Sequence, residues 1–306
     1  MKTCFLFPGQ GAQYPGMGRD FYETSAAVRD LFALASESAN MDLKKLIFEG
    51  DEEELKLTRN TQIAVALVGA AAAVCAREHG IMPSGAAGFS VGEWPALAEA
   101  GVVSHADMFR LVGHRGRLMD EAGSASGGST MSAVLFLAPE IIETVIAEAG
   151  LRAVWVANYN SPSQCVISGT ETDITVAEIK LKAAGAKRVV RLKVSGAFHS
   201  PIMAPARDAF AGFVEDTNFS DPVFPVFSNV TGELIASGEE AKRLAILQIV
   251  SPVRWIAEET KIMAGGFERI IETGPGNVLT GLWKAVSPGK PCLPCGTLDQ
   301  IAGISL

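Results

Sequence analysis

With 306 residues, 48% of them hydrophobic and 31 of them glycine, the chain can bury a large core as one big domain or two modest ones. Its formal net charge of -8, with no run of lysine or arginine and no basic stripe interleaved with aromatics, argues against nucleic acid as a partner. Five cysteines (Cys4, Cys75, Cys165, Cys292, Cys295) are an odd number in apolar surroundings, so no disulfide framework is expected. Cys292 and Cys295 have redox or zinc-ligand spacing, but no second Cys or His pair follows them.

In chain order, residues 4–7 read as a first strand, because the apolar stretch is too short for a signal-peptide core and runs straight into a Gly-rich turn. Helical patterns follow over 41–57 and 61–78. The apolar run 63–76 falls short of the ~18 residues that a membrane span requires, so no membrane partner and a cytoplasmic location are expected. A strand over 86–89 and helices over 91–100 and 106–121 continue an alternating α/β core. The Gly/Ser segment 123–129 reads as a linker. Beyond it, strand 131–137, helix 139–149, strands 153–158 and 164–169, helix 173–184 and strand 188–194 give the split βαβ order of a ferredoxin-like unit. The expected organisation is therefore a large α/β part, residues 1–125 and 197–306, with a small part, 126–196, inserted in it. The return to α/β comprises a helix after Ser200, an extended segment 223–229, a helix over 239–249 and a strand over 269–272.

Four local features bear on chemistry. Gly88-Phe89-Ser90-Val91-Gly92 is a Gly-x-Ser-x-Gly placed between a strand and a helix, the setting in which a tight turn pushes a serine into the open beside unpaired helix N–H groups. A nucleophilic serine needs a base, and there are four histidines. His79 reads as a helix end, His105 lies in a polar turn, His114 lies mid-helix, and His199 ends a strand-like run where a loop side chain can project into a cleft. By elimination His199 is the candidate base. The turn 7–13 after the first strand could add an N–H for an oxyanion; it is no dinucleotide fingerprint, since the last glycine of that motif would fall on Tyr14. Arg115 lies on a helix that is otherwise apolar at core spacing. It either belongs to a solvated face, as Arg117 does, or faces the cleft, where its planar fork could hold a carboxylate of the acyl group. No metal or cofactor motif is present in the sequence, so no cofactor is expected and side chains must carry the chemistry.

Taken together, Pro8-Gly9-Gln10-Gly11, Thr61-Gln62, the Gly88 to Glu93 turn, His114-Arg115-Gly116, Asn160-Ser161-Pro162, Ala197-Phe198-His199-Ser200 and Glu272-Thr273-Gly274-Pro275-Gly276 resemble the malonyl-CoA:acyl carrier protein transacylases in order and spacing across nearly the whole chain. The resemblance implies an α/β-hydrolase-like large subdomain with an inserted ferredoxin-like small subdomain. It implies Ser90 as the acylated nucleophile, His199 as its base, the N–H groups of Gln10 and Val91 as an oxyanion hole, and Arg115 as the clasp for the malonyl carboxylate. A carbonyl near Gln248 would orient the imidazole, and Phe198 would favour malonyl over branched acyl groups. Coenzyme A thioester and acyl carrier protein are the implied partners, and the basic residues Lys187, Arg188, Arg191 and Lys193 are the expected carrier docking patch. Two positions depart from the pattern: Phe89, where the family usually has His, and Pro95, where it commonly has a small residue. A serine esterase, a polyketide loading enzyme and a malonate-decarboxylase subunit stay open beside the fatty acid enzyme, since each could keep these residues.

Overall fold

The computed structural model describes residues 1–305. In chain order the elements are β1 Thr3–Phe7, α1 Arg19–Thr24, α2 Ala26–Ala39, α3 Leu43–Glu49, α4 Glu52–Lys56, α5 Thr58–Glu78, β2 Gly85–Gly88, α6 Glu93–Glu99 and α7 His105–Ala125. Then come β3 Ser129–Leu135, α8 Pro139–Glu148, β4 Val154–Ser161, β5 Gln164–Thr170, α9 Glu171–Ala183 and β6 Arg188–Arg191. The chain finishes with α10 Ala204–Glu215, α11 Gly238–Leu247, α12 Trp255–Ala264, β7 Arg269–Glu272, α13 Val278–Val286, β8 Cys292–Pro294 and α14 Leu298–Ala302.

Two sheets organise these elements. The first is parallel, in the order β2-β1-β7-β8, and β1 and β7 are buried along their whole length. Strands covered on both faces read as continuous apolar runs, which is why Cys4 to Phe7 shows no alternation. Helix α5 crosses this core against α2, α6 and α7, its alanines and Gly69 permitting close approach. By length and composition α5 could cross a membrane, being longer than the apolar run 63–76 at its centre; 89% of its most apolar window is buried inside the fold. The second sheet is antiparallel, in the order β4-β5-β3-β6, with α8 and α9 packed together on it. Its βαββαβ connectivity in that order is the ferredoxin-like plan expected from the sequence. A short parallel bridge, Tyr159 N–H to Val253 C=O and Val253 N–H to Ala157 C=O, both 2.9 Å, ties it to the segment before α12.

Several boundaries differ from expectation for local reasons. The helix expected over 41–57 is two helices, because Asp51 caps a fresh start by accepting from Glu54 N–H after Gly50 ends α3. Segment 123–129 is a linker only from Ser126, since α7 continues through Gly123. There the helix touches another backbone, and a Cβ would sit 2.4 Å from Ser195 O. The segment 223–229 forms no strand, only single bridges from Val226 to Ala86 and from Phe227 to Leu234. All five cysteines are free and buried.

Candidate active site

Ser90 follows β2 with Phe89 between them and opens a single 3-10 turn, Ser90–Gly92, that leads into α6. The glycines around it serve closeness. A Cβ on Gly88 would lie 1.9 Å from Gly92 O, and one on Gly92 would lie 2.1 Å from Phe7 O, so the turn folds back on itself and on β1. The left-handed backbone falls on the serine itself, with φ of 52°, and His199 shares that conformation with φ of 56°. Two non-glycine residues in this region mark stored strain of ~1–3 kcal/mol each, which a fold keeps only where its surroundings over-determine them.

The two strained residues meet. Ser90 Oγ lies 2.8 Å from His199 Nε2, and His199 Nδ1 lies 2.9 Å from Gln248 C=O and 3.1 Å from Ser251 C=O. Carbonyls only accept, so Nδ1 carries the proton and Nε2 presents its lone pair to the serine. Burial, with Arg115 nearby, pushes the His199 imidazolium down to about 4. The imidazole is thus neutral at pH 7.

Arg115 settles on the cleft side of α7, fully buried. Its Nη1 donates to Gln62 Oε1 at 2.5 Å, and its Nη2 donates to Gln248 Oε1 at 2.9 Å and reaches Ser90 Oγ at 3.4 Å. Nε finds no partner among the described residues. Burial pushes this guanidinium down to about 10, opposed by Glu93, so it keeps its charge. His114, its neighbour, points away and stacks on Phe213 at 3.8 Å between ring centroids. Gln10, Val91, Phe89, Phe198, Met119 and Ser90 line one cleft of about 330 Å³ with the small sheet's Asn158, Asn160 and Gln164 on its other wall. Phe89 packs edge to face on Trp255, with centroids 5.5 Å apart, which makes its side of the cleft apolar. Pro95 is buried in α6, where a Cβ on Gly69 would meet its Cγ at 3.7 Å, and the helix forms around it.

Asn229, Glu93 and Glu258 stand behind the turn with no local sequence signal for a role there. Asn229 accepts from Ser90 N–H at 2.7 Å and donates to Gly88 C=O at 2.6 Å and to Glu258 Oε1 at 2.8 Å, while Glu93 Oε2 accepts from the Asn229 N–H at 2.6 Å. Gln248 Nε2 donates to Ser90 C=O at 3.1 Å. Burial raises the Glu93 carboxyl to about 7 and Glu258 well above the ordinary range. No local motif announces Asn229, since its partners lie far from it in sequence.

The chain resembles known proteins over most of its length. The acyl transferase domain family matches residues 4–296. The malonyl CoA-acyl carrier protein transacylase of Bacillus subtilis strain 168 is 41% identical over 289 residues, covering 94% of this chain and 90% of that protein. The enzyme of the same name from Escherichia coli K12 is 38% identical over 287 residues, covering 93% of each. Among solved structures, an acyl carrier protein S-malonyltransferase from Vibrio cholerae superposes with a TM-score of 0.95 at 36% identity over the full length of both chains. A malonyl-transacylase solved in complex with its type II PKS acyl-carrier protein gives 0.94 at 36% identity over 99% of this chain and 98% of that one. With Ser90 and His199 lining one cleft and Arg115 buried beside Ser90, and with likeness running over nearly its whole length, the chain belongs to the malonyl-CoA:acyl carrier protein transacylases of the acyl transferase family.

Proposed function

We propose that the chain moves a malonyl group from coenzyme A to the phosphopantetheine thiol of an acyl carrier protein through an ester on Ser90, in the cytoplasm and with no cofactor beyond the thioester substrate. The observation that carries this reading is the Arg115 fork, buried and charged within 3.4 Å of Ser90 Oγ. A neutral acyl group would leave that fork in company with amides alone, whereas a malonyl carboxylate supplies its opposite charge.

The steps follow from the geometry. His199 Nε2 takes the Ser90 proton as Oγ attacks the thioester carbon, and the imidazolium is stabilised by the two carbonyls at Nδ1. The N–H groups of Gln10 and Val91 receive the oxyanion. Collapse expels the coenzyme A sulfur, which takes the proton from His199. The carrier thiol then gives its proton to His199, attacks the ester, and returns Ser90 Oγ to its starting state. Phe198, buried beside His199 on the cleft wall, crowds the acyl α-carbon and so disfavours a methyl branch.

The carrier reading rests on relatives named for acyl carrier protein, one of them a polyketide-type complex, and both carrier types offer the same thiol. The basic docking patch contracts to Lys187, Arg188 and Lys193, all exposed, because Arg191 is engaged by Glu178 at 2.7 Å. Reversing those three charges is expected to raise the KM for carrier while leaving Ser90 acylation by malonyl-CoA unchanged.

Intact-protein mass spectrometry after brief mixing with malonyl-CoA or acetyl-CoA tests the whole reading. A malonyl adduct on wild type, absent from Ser90→Ala and strongly reduced in Arg115→Ala, is expected. Free coenzyme A accumulating without an adduct would instead identify a hydrolase.

A further inference from the structure

The left-handed turn at Ser90 requires something to hold it, and the two peptide groups flanking Ser90 are each gripped from behind. The N–H of the first donates to Asn229 Oδ1 at 2.7 Å, and the C=O of the second accepts from Gln248 Nε2 at 3.1 Å. That second peptide also carries the Val91 N–H. A trans peptide sets its N–H opposite its C=O, so holding Ser90 C=O toward Gln248 directs the Val91 N–H to the other side, where Val91 lines the cleft.

Asn229 is the node of this grip. Its amide bridges Gly88 C=O and Ser90 N–H, closing the entrance and the apex of the turn onto one side chain. Its own position is fixed by Glu258 Oε1 at Nδ2 and Glu93 Oε2 at its backbone N–H, and its Oδ1 lies 3.4 Å from Gln248 Nε2. Asn229 and Glu258 are fully buried, and Glu93 nearly so. No water can substitute for a lost bond there without opening the core. The donor and acceptor ends of the amide are both committed, because Ser90 offers an N–H and Gly88 offers a C=O that only accepts.

We propose that Asn229 is the positioning residue of the Ser90 turn: its amide holds Gly88 C=O and Ser90 N–H together, and so keeps Ser90 Oγ on His199 and the Val91 N–H on the developing oxyanion. The inference rests on the acyl-transfer reading above and adds to it the group that pre-organises the nucleophile. Asn229 lies behind the turn and does not line the cleft, so it acts on the transition state and not on substrate capture.

The test is quenched-flow mass spectrometry of Ser90 acylation by malonyl-CoA in the full chain. Asn229→Ala is expected to slow the maximal acylation rate by on the order of 100-fold, the effect of a displacement near 1 Å at a reacting group, with the KM for malonyl-CoA within about threefold of wild type. Asn229→Asp distinguishes positioning from mere support. Its carboxylate cannot donate to Gly88 C=O, but its protonated form can, and Glu93 and Glu258 on one side, with Arg115 and His199 beyond Gln248, are the charged groups that face it. This variant should therefore be slow at pH 8 and gain about tenfold relative to wild type by pH 6. An Asn229→Ala rate within threefold of wild type, a loss shared equally between rate and KM, or an Asn229→Asp profile parallel to wild type would each overturn the inference. Where the alanine variant does not fold, the aspartate profile decides alone. Failure of wild type itself to form an adduct would bring down the acyl-transfer reading instead.

Discussion

The contact between Ser90 Oγ and His199 Nε2 works only while the imidazole is neutral, and burial beside Arg115 extends that condition far into acid. Because the folded His199 sits near 4, kcat/KM for malonyl-CoA is expected to stay level from pH 8 to about 5, and an acid limb near the ordinary 6.5 would contradict it. Arg115→Ala removes the neighbouring charge, so the same limb should move upward in that variant. For Arg115 itself, the loss should fall on malonyl and not on acetyl transfer. The ratio of the two kcat/KM values is expected to drop at least ~100-fold, since an ion pair with a buried bidentate fork is lost for only one substrate. At this scale the sequence is largely readable for groups that carry their own signal. Ser90 stands in a Gly-x-Ser-x-Gly, and four histidines leave little choice of base. Arg115 is ambiguous in sequence, because a single helical arginine points to solvent or to a cleft according to packing that no local pattern contains. Asn229 and Gln62 are beyond reach as roles: they are ordinary amides whose meaning comes only from partners brought beside them by the fold.

Elements are legible where periodicity is long and unbroken. The small sheet's strand and helix order can be read because its strands are short apolar runs interrupted by two helical ones, and α9 carries its own start signal, Thr170 accepting from Asp173 N–H. Helix α2 has the same kind of signal, with Ser25 as its cap and Val28, Leu31, Phe32 and Ala35 on its buried face, yet it stands in a stretch where sequence analysis places no element. Strand β8 is three residues long and takes its identity from β7 alongside it, which is tertiary information. The turn that carries Ser90 has no room for added volume. Gly92→Ala would place a methyl 2.1 Å from Phe7 O, a backbone atom of the central strand that cannot step aside. Such overpacking costs typically ~1–3 kcal/mol, and here the strand and the turn must part to relieve it. Urea unfolding should show that loss, and acylation of Ser90 should fall by more than the unfolded fraction explains. A variant of wild-type stability and activity would mean that the turn does not rest on β1.

At the scale of the molecule, the buried carboxyls behind the site set how stability depends on pH. Glu93 and Glu259 are held up to about 7 and about 8 by burial, and burial also raises Glu258 well above the ordinary carboxylate range, so the folded chain keeps protons that the unfolded chain has released above about 4.5. The contribution of such groups is fully present below their unfolded value and is lost as pH rises through the folded one. His199 acts in the opposite sense, adding stability as pH rises, but only between about 4 and its unfolded 6.5. The two effects oppose one another below pH 6.5, and above it only the carboxyls remain. The cysteines with raised values and the salt-bridged Glu52 and Glu178 titrate outside this window, at higher and lower pH respectively. Since a tenfold difference in proton affinity between folded and unfolded chain corresponds to ~1.4 kcal/mol, Glu93 and Glu259 together are expected to cost the fold on the order of 2 kcal/mol between pH 6.5 and 8, and Glu258 adds to that loss. Urea midpoints across that interval measure the loss directly, and Glu259→Gln, which keeps an acceptor for the Trp255 indole N–H at 2.9 Å, should flatten the slope without touching Ser90. A stability that rises with pH over the same interval would mean that these carboxyls are ionised in the folded chain, and that the polar layer behind the turn carries more charge than its burial allows.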